Sequence, residues 1–249
     1  MLPYWALKAV KRCLGYKISD EDRAANIFNF NAKIFVFFDL DHSLLFNPGC
    51  EQHYAVCDEY PHLTRVRHKR WNKDIYIIYL AETAALFKEL LALNNVEIGF
   101  ITTAEYTKQE VIPFLTEVYG LPKKSLNKSI YINNSKYGAM LSKGEKLKKS
   151  PRIKDKDLVL LADDDTVNLK SAKKHGFVAI RTGGFLLELN RDDDGSEWVS
   201  ICPPCNEYLS KISEVVRHKI AEIEEQRRTA KLGFVVTHAI TVSNVSPYF

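Results

Sequence analysis

Short runs of consecutive apolar residues alternate along this chain with longer stretches whose apolar residues recur every three or four positions. Ile34-Phe35-Val36-Phe37-Phe38 is the first run, rich in aromatic and β-branched side chains and bounded by polar ones. A strand buried on both faces, as in a parallel sheet, has that pattern. Val96-Glu97-Ile98-Gly99-Phe100-Ile101, Leu158-Val159-Leu160-Leu161-Ala162 and Phe177-Val178-Ala179-Ile180 repeat it, and Ile130-Tyr131-Ile132 is a shorter strand. Residues 75–93, 105–119 and 168–175 read as helices, with Pro113 in the second and Gly176 stopping the third. Residues 144–149 open another. The alternation of strands and helices predicts an α/β fold with a doubly wound parallel sheet and right-handed crossovers.

The flanks follow different patterns. In residues 2–16, Leu2, Ala6, Ala9, Val10, Cys13 and Leu14 fall at helical spacing, with Lys8, Lys11 and Arg12 elsewhere. That is a basic amphipathic helix, packed on its own domain or laid on an anionic membrane surface. Ser19-Asp20-Glu21-Asp22 looks like a helix cap. Residues 46–74 hold Pro48, Gly49, two cysteines and a basic run at 65–70, and read as an inserted flap or minimal cap. Leu209, Ile212, Val216, Ile220 and Ile223 form one stripe of a charged helix over 207–229. The apolar residues 234–249 are an edge strand, a tail or the start of a further segment. The expected division is a helical extension at 1–30, a core at 31–190 containing the insert, and a C-terminal helix and tail at 206–249.

Composition narrows the class. The chain has 249 residues, of which 46% are hydrophobic and 27% charged, with a formal charge of +4. That is a globular composition, large enough to bury a core without staples. No apolar run reaches the ~18 residues of a spanning helix. So small a net charge gives no reason to expect nucleic acid. Five cysteines are an odd number and too few for a disulfide framework, so a soluble protein of a reducing, cytoplasmic-type compartment is expected. Cys202-Pro-Pro-Cys205 is one CxxC. With Cys50 and Cys57 it admits a zinc site, alone it admits a redox pair, and an ordinary turn is favoured over both. Asp192-Asp193-Asp194-Gly195 resembles part of a calcium loop but lacks the downstream glutamate, which favours a solvated turn.

The informative acids sit at strand ends. The first strand runs into Asp39-Leu40-Asp41-His42-Ser43-Leu44, another into Asp163-Asp164-Asp165, and a third into Thr102-Thr103. Chemistry in such sheets gathers beyond the carboxyl ends of the strands. A single Asp there is commonly a helix cap. Carboxylate pairs at two strand ends, with hydroxyls at a third, point instead to a shared crevice. Crowded carboxylates need a positive partner. A divalent cation with all-oxygen ligands, Mg²⁺ above all, supplies one, and Lys143 supplies another.

At these residues the chain resembles the haloacid dehalogenase superfamily. Phe37-Phe38-Asp39-Leu40-Asp41-His42-Ser43-Leu44 is similar to the first motif of that family. Gly99-Phe100-Ile101-Thr102-Thr103-Ala104 is similar to the second. Lys143-Gly144-Glu145 is similar to the third, and Leu160-Leu161-Ala162-Asp163-Asp164-x3-Asn168 to the fourth. The resemblance covers about residues 33–185. It implies a Mg²⁺-dependent phosphatase or phosphotransferase with Asp39 as nucleophile and Asp41 as general acid and base. It also implies metal ligation by Asp39, Asp41, Asp164 and Asp163. Lys143 and a threonine would bind the phosphoryl group, Thr103 being favoured over Thr102.

Only 19 residues separate Lys143 from Asp163, and about 31 separate Ser43 from Ile75. Neither gap holds a large cap, and the resemblance implies that members without one often take substrates too big to be enclosed, phosphoproteins among them. The flap aromatics Tyr54, Tyr60, Trp71, Tyr76 and Tyr79 offer a slot for a phosphotyrosine ring, and the basic run at 65–70 offers steering toward anions. A phosphatase of small metabolites or nucleotides is the first alternative. A membrane-associated binding module with a residual phosphatase fold is the second. In arrangement rather than motif, the short core with unmatched flanks also resembles host-directed phosphatases secreted by intracellular bacteria such as Legionella. That likeness would place the protein in a host cell and at its membranes.

Overall fold

The computed structural model describes residues 32–48, 51–69, 72–104, 106–132, 141–182, 186–191, 197–202 and 206–243. The chain divides into two units, one of Lys33–Arg217 and one of Met1–Ala32 with His218–Phe249. The N-terminal helix read at 2–16, the cap at 19–22, and Cys50, Cys205, Arg70, Trp71 and Asp192–Gly195 lie outside the described residues.

The larger unit is built on a five-stranded sheet. Its strands are β1 (Ile34–Phe38), β5 (Val96–Thr102), β6 (Ile130–Ile132), β7 (Leu158–Asp163) and β8 (Val178–Arg181), in the order β6-β5-β1-β7-β8. Every pairing is parallel. Helices α2 (Leu80–Ala92), α3 (Lys108–Tyr119), α4 (Lys123–Ser129), α5 (Lys143–Lys148) and α6 (Thr166–Lys174) connect them. The α/β parallel-sheet class expected from the sequence is the observed one.

All five residues of β1 are buried, because alternate side chains enter opposite cores. Phe35 and Phe37 pack with Ile101, Leu147, Val159, Leu161 and Ala172. Phe38 turns the other way, edge-on to Phe87 of α2 at 5.0 Å between ring centres. Gly99 faces Phe37 across the β1–β5 pair. A Cβ there would stand 2.3 Å from the Phe37 ring, so the glycine in this strand makes room for a phenylalanine.

The insert is a second, antiparallel sheet of β2 (Leu45–Phe46), β4 (Lys73–Ile78) and β3 (Leu63–His68), in the order β2-β4-β3, with helix α1 (Glu51–Asp58). Helical spacing read from residue 75 therefore begins too early. Ile75, Tyr76, Ile77 and Ile78 are buried and belong to β4. α2 starts at Leu80, after a left-handed Tyr79 with φ 49°. A continuous β-branched run favours the strand wherever it can be covered on both faces.

Two of the insert's aromatics, Tyr76 and Tyr79, are buried in its interior rather than lining an open slot, while Tyr54 and Tyr60 are half-buried. The Tyr76 hydroxyl oxygen lies 2.5 Å from Asp58 Oδ1, to which it donates, and 3.1 Å from the Tyr54 carbonyl. Tyr54 in turn donates to the Asp74 carbonyl, and Tyr79 is buried against His62. The basic run is matched by acids. Arg65 pairs with Asp58 and Asp74, Arg67 with Asp74, and Lys69 with Glu117. These pairings lower Asp74's affinity for protons through hydrogen bonds from Arg65 and Arg67. They also leave less of the run's charge to steer an anion.

Two further elements differ from the sequence pattern. β9 (Leu186–Arg191) and β10 (Glu197–Cys202) form an antiparallel hairpin. Its sequence signal is Asp194-Gly195 between two partly apolar runs. α7 spans Glu207–Ser243, so residues 234–243, for which an edge strand was one expectation, are helical. Extending an existing helix fixes one residue per added hydrogen bond, so a β-branched composition alone does not stop it. In the larger unit the first turns of α7 bury Tyr208, Leu209, Ile212 and Val216. Ser213 and Arg217 both bond Glu89 of α2. In the smaller unit the described helix carries the ion pair of Lys219 with Glu222 at 2.6 Å. Among the described residues no helix is long and apolar enough to cross a membrane.

Candidate active site

Because β5, β1 and β7 are adjacent and parallel, their carboxyl ends open on one edge. Asp39 follows β1 directly, and its N–H still donates to the Ala162 carbonyl of β7 at 2.9 Å. Asp163 is the last residue of β7, and Thr102 the last of β5. Beyond Asp39 the chain turns sharply. Leu44 and Leu45 N–H both donate to the Leu40 carbonyl, and His42 takes a left-handed φ of 59°. This tight loop carries Asp41 to the same edge.

Lys143 arrives from α5. Ser142 caps that helix in a reciprocal box with Glu145, which fixes its first turn. The Lys143 N–H donates to Asn168 Oδ1 at 3.2 Å. Gly144 lets α5 approach α6 so closely that a Cβ would lie 2.6 Å from the backbone of Ser171 and Ala172. Thus cap, amide and glycine place a lysine that is only 2% exposed. Its Nζ stands 2.6 Å from Asp39 Oδ1 and 2.9 Å from Asp163 Oδ2.

Each acid has a distinct setting. Asp39 is buried, and its Oδ1 also accepts the Leu40 N–H at 2.8 Å. Asp163 Oδ1 accepts the Asp165 N–H at 2.9 Å. Asp163 Oδ2 is fully buried and has the lysine charge beside it but no well-directed hydrogen bond. Asp165 caps α6, accepting from Val167 N–H and Asn168 Nδ2. Asp41 receives Thr102 Oγ1–H on Oδ2 at 3.2 Å and the Tyr106 hydroxyl on Oδ1. Thr103, one residue past β5, is half-buried and bonds none of these acids. The preference for Thr103 over Thr102 thus finds no contact here, since the strand delivers Thr102 instead.

Burial raises the pKa of Asp39 strongly. Lys143 opposes it, and Asp163 and Asp164 reinforce it. Burial likewise raises Asp163 against the pull of Lys143. Burial alone would lower Lys143, but the charges of Asp39 and Asp163 outweigh it and hold the ammonium protonated. Tyr106 is pushed upward by burial and by the Asp41 charge, so it remains a phenol. Asp39 and Asp163 thus share one buried ammonium with Asp164 close by, an arrangement that draws in further positive charge.

Asp39, Asp163 and Asp164 each offer an oxygen within 4.8 Å of the others, the one such group among the described residues. The uncommitted lone pair on Asp163 Oδ2 and the hard, all-oxygen donor set suit Mg²⁺. Asp41 belongs to a neighbouring position: its carboxylate is engaged by Thr102 and Tyr106 and is not in that group. Tyr106 was not singled out in the sequence, which read it into a helix at 105–119; α3 begins instead at Lys108, after the Thr107 cap, and leaves Tyr106 in the connecting loop. Asn168 was noticed only as part of a motif.

One solved structure similar to this chain is "The Structure of Fcp1, an essential RNA polymerase II CTD phosphatase". The likeness has a TM-score of 0.37 and 12% sequence identity, over 92% of this chain and 59% of that one. No family model and no curated protein matches. What the site can do therefore rests on its own geometry.

Proposed function

We propose that the protein is a Mg²⁺-dependent phosphatase that works through an aspartyl-phosphate on Asp39. The observation that carries this reading is Asp39 itself, a buried carboxylate fixed against Lys143 and beside a second acid two residues on. One Asp39 oxygen attacks phosphorus as the ester P–O bond breaks. Asp41 protonates the departing oxygen, then removes a proton from the water that cleaves the acyl phosphate. Inorganic phosphate leaves and the Asp39 carboxylate is restored. Splitting one displacement in two, with acid and base supplied by a single residue, is worth ~10²–10⁴-fold for the proton transfers. Lys143 and Thr102 donate to the phosphoryl oxygens as charge builds. Mg²⁺ held by Asp39, Asp163 and Asp164 would neutralise phosphoryl charge.

The substrate we favour is a phosphoprotein. The insert between β1 and α2 is small, with three short strands and one helix. Tyr76 and Tyr79 are buried within it, so the slot suggested for a phosphotyrosine ring loses two of its walls. Paired phosphotyrosine and phosphoserine peptides of one sequence assign the preference. A small-metabolite phosphatase would instead show its highest kcat/KM in a panel of phosphorylated metabolites. A binding module has no use for a buried lysine clamped between two aspartates, a costly arrangement to keep.

The decisive experiment is turnover of an aryl phosphate by wild-type protein and by Asp39→Asn, each with Mg²⁺ and with a chelator. Activity confined to the wild type with Mg²⁺ supports the proposal. Equal activity in Asp39→Asn, or none in a folded wild type on aryl phosphate, phosphopeptides and metabolites alike, overturns it.

A further inference from the structure

Asp41 is held by two side-chain donors, one on each oxygen, and the two are not equivalent. Thr102 Oγ1 accepts the Ala104 N–H at 3.1 Å and gives its proton to Asp41 Oδ2 across 3.2 Å, a long bond for a hydroxyl donor. A hydroxyl has one proton to donate. In the reaction proposed above, that proton is needed by the phosphoryl group. Thr102 cannot serve both, so on substrate binding Asp41 loses one tether at the moment its orientation matters.

The second tether is Tyr106. Its hydroxyl donates to Asp41 Oδ1, which leaves Oδ2 as the oxygen that carries the proton. The residue is itself well fixed. The Tyr106 N–H donates to the Ala104 carbonyl at 2.8 Å. The next residue, Thr107, caps α3 in a reciprocal box with Glu110. The backbone on both sides is thus pinned, and the half-buried ring lies between the end of β5 and the start of a helix.

Resting on the phosphatase reading, we propose that Tyr106 is a positioning residue. It holds Asp41 by Oδ1 while Oδ2 delivers a proton to the leaving group. Its effect should therefore scale with how much the leaving group needs that proton. A 2,4-dinitrophenolate departs without help, whereas an alkoxide does not.

The test compares kcat/KM for 2,4-dinitrophenyl phosphate and for an alkyl phosphate such as a phosphoserine peptide. Wild type, Tyr106→Phe, Asp41→Asn and Asp39→Asn are measured with Mg²⁺ present. Tyr106→Phe is expected to lose about tenfold or more on the alkyl ester and less than about twofold on the dinitrophenyl ester. Asp41→Asn should show the same tilt more steeply, up to the ~10²–10⁴-fold of a general acid. The ratio of the two rates does not depend on the folded fraction, because both substrates meet the same active molecules. If Tyr106→Phe folds poorly, Tyr106→Met is read by the same ratio. An equal factor on both esters, or no loss, overturns the positioning role while the phosphatase reading stands. An inactive wild type, or an Asp39→Asn as active as wild type, removes both.

Discussion

Gly144→Ala tests how the site lysine is placed. A methyl group at residue 144 would stand 2.6 Å from Ala172 N and from Ser171 C. Both are helix backbone and cannot rotate away. Ordinary contact needs ~3.5–4.0 Å, so α5 and α6 must part by about 1 Å. Overpacking of this kind costs ~1–3 kcal/mol. Replacing glycine by alanine in a helix returns at most ~1 kcal/mol. The net expectation is a loss of up to about 2 kcal/mol, read as a lower urea midpoint. The catalytic effect should be larger in proportion. Lys143 sits one residue before Gly144, with Nζ 2.6 Å from Asp39 Oδ1. Moving it by ~1 Å takes it out of hydrogen-bond range, and misplacement on that scale costs ~10²-fold in rate. The assay is urea unfolding alongside aryl-phosphate kcat/KM. A variant with the wild-type midpoint and full turnover would refute the claim that close packing at Gly144 sets the lysine.

Other perturbations have equally definite outcomes. Lys143→Met orphans Asp39 and Asp163 in the interior, which should cost ~3–5 kcal/mol at neutral pH. The penalty should shrink as pH falls and the two acids take up protons, so thermal melts in chelator should differ from wild type more at pH 8 than at pH 5. Asp164→Asn should reduce the rise in melting temperature that Mg²⁺ gives the wild type, since a ligand stabilises only the state that binds it. Cys57 is fully buried, and burial together with Asp58 raises its thiol to about 11. Peptide-resolved alkylation at pH 8 should therefore leave it unlabelled until the protein unfolds. His68 is buried beside Phe114, and burial lowers its pKa against the opposing pull of Glu110 and Glu117, with Lys73 adding to the lowering. A depressed folded pKa means that stability is full above the unfolded value of about 6.5 and is lost as pH falls below it. The urea midpoint of wild type should drop from pH 7.5 to 5.5 by more than that of His68→Phe; equal drops would exclude His68 as the source.

The central sheet was legible because its strands are buried on both faces. Five consecutive apolar residues in β1, or five at the start of β7, leave no other reading once helices alternate with them. The insert was harder. β3 reads Leu-Thr-Arg-Val-Arg-His, with half of its positions exposed and one buried, so its strand character comes from pairing with β4 rather than from any apolar period. β4 then merged with α2 because Ile75, Ile77 and Ile78 also fit a helical stripe. Short apolar runs are ambiguous in this way, and only the covering of both faces decides them.

The site divides along the same physical line. Asp39, Asp163 and a threonine at the end of β5 were legible because strand direction alone carries strand ends to one edge. Nothing beyond topology is needed to bring them together. Lys143 was named from its motif, but its placement needed more: a local cap at Ser142, and an amide bond to Asn168 and a glycine at 144 whose roles show only after α5 is set against α6. Tyr106 had no pattern at all, since its partner Asp41 is 65 residues away and it belongs to neither a strand nor a helix. The sequence therefore exposes the groups whose positions the sheet dictates, Asp39 and the carboxylates beside it. It conceals the groups that tune them, because hydrogen bonds between loops leave no period in the chain. For the same reason the choice between Thr102 and Thr103 could not be made from residue types. It turns on which of two adjacent hydroxyls ends the strand, a difference of one residue in register that only the pairing of β5 with β1 and β6 fixes.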